Sequence, residues 1–148
     1  MATAQARETL SSRLKVLMFD EDPGKTTIDY TSWQAMEDYE HVMITTMVSV
    51  GGAMKALSGI YVATDASASG VALLKAFSDP TTADAVGDTR FAEISAEQVA
   101  QLGAENGAVY THFSVGLLAD VATDEFVVTY IMEPGRFKHT GLTADVTA

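Results

Sequence analysis

From Met36 to Val50 the chain reads MEDYEHVMITTMVSV, and apolar or β-branched residues recur at nearly every second position. Val42, Ile44, Thr46, Val48 and Val50 share one face, and Met43, Thr45, Met47 and Ser49 share the other. Side chains alternate across a strand with period two, so this run is a strand. Further runs follow the same logic. Arg13 to Phe19 is a strand that ends at the turn Asp20-Glu21-Asp22-Pro23-Gly24. Thr26 to Tyr30 is a short strand, and Trp33, Met36 and Tyr39 have the spacing of one helical turn within Ser32–Tyr39. Gly51-Gly52 breaks the central strand, Ala56 to Ala63 returns, and Val71 to Phe77 is a third run. Thr89 to Ile94 suits a sheet edge. Ala108 to Leu118 alternates Val109, Thr111, Phe113, Val115 and Leu117 against Tyr110, His112, Ser114, Gly116 and Leu118. Glu125 to Met132 is the last strong strand, closed by Pro134-Gly135.

One helix is expected, at about 96–102. Ser95 is placed to cap it, Gln98 three residues later completes a capping box, and Gly103 is a natural stop. The short polar link between the last two strands suggests an antiparallel hairpin. Strands do not alternate with long helices, which argues against a parallel α/β fold. Six to eight short strands separated by turns predict a mainly β domain, an antiparallel sandwich with a jelly-roll-like variant open. The expected organisation is an N-terminal arm at 1–12, flexible or ordered by a partner, one sandwich domain at 13–137, and a C-terminal tail at 138–148. Neither a repeat nor a second domain is visible.

The chain has 148 residues, the size of one ordinary domain. It has no cysteine, which excludes disulfides and thiolate metal sites. Twenty acidic residues against nine basic ones give a formal charge of -11. Direct nucleic-acid binding is therefore not expected, because it depends on neutralising phosphates with Lys and Arg. Such a charge favours solubility and repels nonspecific partners. Arg136, Lys138 and His139 form the clearest local basic spot. The N-terminal residues MATAQARETL lack the apolar core of a signal peptide. The apolar window Val42–Ala63 holds Lys55 near its middle and the Gly51-Gly52 pair, so strand–turn–strand explains it and no membrane partner is expected.

Chemical motifs are incomplete. His41, His112 and His139 are not paired at ligand spacing. Asp20-Glu21-Asp22-Pro23-Gly24 contains the D-x-D-x-G opening of a calcium loop, yet the terminal carboxylate position is Thr31. Gly24-Lys25-Thr26 matches the end of a phosphate loop, but the required earlier glycine is Phe19. No nucleophile–base pair or metal set assembles from neighbouring segments, so no catalytic, cofactor-binding or metal residue is assigned and no cofactor is expected. The methionines within strand runs read as core filler. Tyr30, Trp33 and Tyr39, with Met36, form an aromatic group. It reads as a core plug at one end of the sandwich or as an interface anchor, since Trp and Tyr dominate protein–protein hot spots. The interface candidates are Tyr30, Trp33, Tyr39, Arg136 and Lys138.

The segment Met36 to Ile44 resembles a recurrent element of small virion structural proteins of tailed bacteriophages, in which an N/D-Y-x-H-hydrophobic phrase precedes a strand. The similarity continues in general order through Ile60-Tyr61-Val62-Ala63, Glu97 to Asn106, Val109 to Leu118, and Phe126 to Met132 with Pro134-Gly135-Arg136. It covers roughly residues 36–137. The resemblance implies a noncatalytic head-associated role, as a decoration or minor capsid protein, and in the first case a cement protein bound to the major capsid protein on the capsid exterior. It also implies self-association, as a trimer, after synthesis in the host cytoplasm. The alternatives are a tail or tail-completion subunit and, from another class, a small carbohydrate- or ligand-binding sandwich with Trp33 and Tyr30 as its platform.

Overall fold

The computed structural model describes residues 14–21, 23–24, 26–37, 39–52, 54, 57–77, 85–121 and 123–134. The expected arm at 1–12, the tail at 138–148, and Arg136, Lys138 and His139 lie outside the described residues. The strands are β1 (Lys15–Glu21), β2 (Asp29–Tyr30), β3 (Gln34–Ala35), β4 (Tyr39–Val50), β5 (Gly59–Ala63), β6 (Ala72–Ala76), β7 (Thr89–Ser95), β8 (His112–Leu117) and β9 (Glu125–Pro134). The helix α1 (Ala96–Asn106) lies between β7 and β8.

Two antiparallel sheets result. The larger has the order β1-β9-β4-β7, and the smaller runs β2-β8-β5-β6 with β3 also on β8. Counting β2 and β3 as two halves of one interrupted strand, the order is that of an eight-stranded jelly roll. Every link changes sheet except β2–β3 and the β5–β6 hairpin. The hairpin expected from β8 to β9 is therefore corrected: β8 belongs to the smaller sheet and β9 to the larger. A short polar link serves a crossover between stacked sheets as well as a hairpin, and strand parity alone does not distinguish them.

The core is the layer between the sheets. Val42, Ile44 and Val48 of β4 and Phe126, Val128, Tyr130 and Met132 of β9 meet Ile60 and Val62 of β5 and Phe113, Val115 and Leu117 of β8. Each fully buried side chain of this size contributes roughly 1.5–3 kcal/mol. The period-two reading of β4 holds from Val42 to Val48 and fails at Val50. A register shift between Val48 and Val50 turns Val50 to solvent.

The capping box forms as the sequence predicts. Ser95 Oγ accepts from the Gln98 N–H at 3.2 Å, and Gln98 Oε1 accepts from the Ser95 N–H at 3.0 Å. The helix runs on past Gly103, however, and stops at Gly107, whose φ of 64° gives it a left-handed cap. Gly103 has a packing role: a Cβ there would lie 2.5 Å from the Ala108 carbonyl oxygen. The helical turn expected around Trp33–Tyr39 is replaced by β3 and a tight turn, in which the Tyr39 N–H donates to the Met36 carbonyl at 3.0 Å. Sheet pairing with β8 outcompetes the local spacing there. Among the described residues no helix is long and apolar enough to cross a membrane.

Candidate functional site

The described surface offers two apolar faces, one on the outside of each sheet. On the smaller sheet, Tyr30 lies opposite Gly116, and Tyr61 lies opposite Ser114, all on the side away from the core. Gly116 leaves a trough that its neighbours fill. A Cβ there would lie 2.7 Å from the Tyr61 ring and 2.8 Å from Ile28 Cγ2. Tyr30 meets Tyr61 edge to face, with centroids 5.3 Å apart at 84°, and stacks obliquely on Trp33 at 5.3 Å and 37°. The Tyr61 hydroxyl donates to the Leu57 carbonyl at 2.5 Å, which fixes its ring. Burial pushes the ionisation of Tyr30 and Tyr61 above the ordinary tyrosine value, with Tyr30 adding to the effect on Tyr61. Tyr61 is buried, whereas Tyr30 and Trp33 are half-buried and present ring surface outward.

The structure thus brings together two of the five sequence candidates, Tyr30 and Trp33. Tyr39 is separate: it sits on β4 of the larger sheet, packs against the core, and lies under Lys15 Nζ at 6.0 Å from its ring centre. Met36 is buried in the core. Sequence reasoning missed Tyr61 as the base of the cluster. The available signal was its parity in Ile60-Tyr61-Val62, which sets it off the core face, opposite a strand carrying Gly116.

The outer face of the larger sheet was also missed. Cross-strand register arranges it in three rows: Val16, Ile131, Met43 and Glu93; then Met18, Thr129, Thr45 and Phe91; then Asp20, Val127, Met47 and Thr89. Phe91 is 75% exposed and Met18 68%. Met18, Met43 and Met47 are therefore surface residues, which corrects their reading as core filler; Met36, Met54 and Met132 are buried as expected. The signal was apolar character on both parities of β4, which a sheet with one face in water does not require.

Buried polar groups serve the fold. Between β2 and β3 the edge strand leaves β8 at residues 31–33, where side chains replace the ladder. The Val115 N–H donates to Tyr130 Oη at 3.0 Å and to Thr31 Oγ1 at 3.2 Å, and the hydroxyls of Thr31 and Tyr130 bond to each other. Ser114 Oγ donates to the Thr31 carbonyl at 2.7 Å, and the Thr31 N–H donates to the Val115 carbonyl at 3.0 Å. Burial pushes the Tyr130 hydroxyl up, against the pull of these bonds, so it stays protonated. Burial raises Glu21 as well, with help from Asp29 and Asp20. Asp65 moves the other way, lowered by hydrogen bonds from Ser69 and Ser67 that close the small-residue loop after β5.

Among the described residues no three His, Asp or Glu side chains converge as a metal site. Thr31, where a calcium loop would end in a carboxylate, is part of the buried hydroxyl group instead. His112 Nδ1 lies 2.8 Å from Thr111 Oγ1, and His41 is exposed at the end of the larger sheet. Shallow grooves flank α1, one lined by small residues such as Ala100, Gly103, Ala104 and Ala108. Comparison of the chain with family models, curated proteins and solved structures finds no match.

Proposed function

We propose that the protein is a noncatalytic virion structural protein of a tailed bacteriophage, a decoration or cement protein that binds the major capsid lattice from outside. The observation that carries this reading is the Tyr30–Trp33 pair held on Tyr61. It is a rigid aromatic anchor, half-open to solvent, on the face of a sheet. Such anchors concentrate binding energy in protein contacts, and holding them in place before binding lowers the entropic cost. The jelly-roll order adds a fold-level analogy, since viral coat domains use it. Lectins use it too, and a fold by itself does not select a function. The resemblance of residues 36–137 to phage virion proteins favours the first. Repetition over a symmetric shell would multiply a modest contact by avidity.

The test is fractionation of purified particles, followed by rebinding of the pure protein to capsids that lack it. Its presence in washed heads, with binding weakened at least tenfold by Trp33→Ala, supports the proposal (about 1.4 kcal/mol or more). Absence from the particles overturns it, and recovery with tails selects the tail-subunit alternative. The oblique Tyr30–Trp33 stack also suits a sugar ring, which is the specific observation behind the second reading. Glycan-array binding abolished by Trp33→Ala, in a protein absent from particles, would establish that one.

A further inference from the structure

The outer face of the larger sheet is mostly apolar, with two threonines at its centre and its charges at the corners and ends. Of the twelve positions in its three rows, Val16, Met18, Ile131, Met43, Phe91, Val127 and Met47 are apolar, and Thr129, Thr45 and Thr89 are neutral. Asp20 and Glu93 are the charges, at diagonally opposite corners. His41 and Glu133 border one end and Glu125 the other. Four strands about 4.8 Å apart and three rows about 6.8 Å apart span roughly 390 Å² in projection. That is the size of the largest, often functional, patch on a typical monomer and about half the ~800 Å² per partner of a standard association, to which the bordering ends add.

We propose that this face binds the same face of a second copy, about a twofold axis that runs parallel to the strands between β9 and β4. The arrangement of the rows argues for a self-partner. Such an axis sets β1 of one copy on β7 of the other and β9 on β4. Met18 then meets Phe91, a sulfur–aromatic contact, and does so twice because the interface is isologous. Met43 meets Ile131, Met47 meets Val127, and the central Thr45 meets Thr129. Asp20 falls against Thr89, a hydrogen-bond donor, and Glu93 falls against Val16 at the rim, where water still reaches it. No carboxylate faces a carboxylate, although each copy carries a formal charge of -11. Two sheets stacked this way lie about 10 Å apart with strands aligned to within about 30°, which side chains as long as Met and Phe can span. The pair would bury this largely uncharged surface and leave the Tyr30–Trp33 face outward on both copies. The inference is independent of the virion reading, and it replaces the trimer that the resemblance implies with a dimer.

Sedimentation equilibrium of the pure full-length chain tests it, alongside Phe91→Lys, an exposed substitution whose fold is checked by circular dichroism. The expected result is a dimer at micromolar concentration, weakened at least tenfold by Phe91→Lys. Because the chain has no cysteine, geometry can be tested by crosslinking. Met18→Cys combined with Phe91→Cys should give a dimer linked by a short bis-maleimide with a reach of about 8 Å, because sheets about 10 Å apart hold facing Cα atoms too far apart for a direct disulfide. Within one copy the two positions lie three strand spacings apart, about 14 Å, too far for an internal bridge. Each single cysteine variant should remain uncrosslinked, since its two copies sit at opposite edges. A monomer at high concentration, a trimer, a dimer indifferent to Phe91→Lys, or crosslinking by the single variants would each overturn the proposal.

Discussion

At the scale of single residues, three hydroxyls test how the fold treats buried polarity. Tyr130 reaches from the larger sheet across the core to the Val115 N–H of the smaller one, at the point where the edge strand lets go. Tyr130→Phe keeps the ring packing against Phe113 and Phe19 but leaves Thr31 with one partner fewer. Urea denaturation should show a loss of about 1–2 kcal/mol. The combination with Thr31→Val should cost less than the sum of the two changes, because both act on one network. Thr46 is the opposite case. Its side chain is buried and its Oγ1 finds no partner among the described residues. Thr46→Val should therefore stabilise, by about 1 kcal/mol in the same assay. Gly116 carries the third prediction. Gly116→Ala drives a methyl into the Tyr61 ring and should cost about 1–3 kcal/mol, with a change in aromatic fluorescence as the Tyr30–Trp33 stack is displaced.

At the scale of elements, α1 is held by its cap and by one face. Ser95→Ala removes the acceptor for the Gln98 N–H, and thermal unfolding should report a loss of about 1 kcal/mol. The helix passes Gly103 because that residue fits against the Ala108 carbonyl; a glycine marks a stop or a close approach, and only the packing says which. The end of β1 carries a pH effect. Glu21 binds its proton more tightly in the folded chain than in the unfolded one, first through burial and then through Asp29 and Asp20. Ionising it therefore costs stability, a cost absent below the unfolded pKa and complete above the raised folded value. Glu21→Gln should leave stability unchanged in acid and raise it at neutral pH. Because the group is only partly buried, the gain should be about 0.5 kcal/mol or less in urea titrations across that range.

At the scale of the whole molecule, net charge and the apolar outer face act against each other. Two copies of charge -11 repel, while the surface proposed to join them holds two carboxylates at its corners. Raising the salt from about 20 mM to about 500 mM shortens the screening length from tens of ångströms to a few, and weakens the repulsion without weakening apolar contact. The dimer should tighten over that range in sedimentation experiments. Loosening would mean that ion pairs, not methionine and phenylalanine, hold the copies together.

The sequence alone determined the elements. The alternation of Val42, Ile44 and Val48, the turn residues between runs, and the Ser95–Gln98 box are local features whose physics acts within a few residues, so they placed the main strands and the helix start. The tertiary structure decided what those elements meet. Sheet membership converted an expected β8–β9 hairpin into a crossover, and pairing with β8 made a strand of Gln34–Ala35 where spacing suggested a helical turn. Tyr61 joined Tyr30 and Trp33 only because non-neighbouring strands lie side by side over Gly116, while Met18 and Phe91 share a face through β9 and β4. Strand parity says that a residue faces one side or the other; which side is core depends on contacts between segments far apart in the chain.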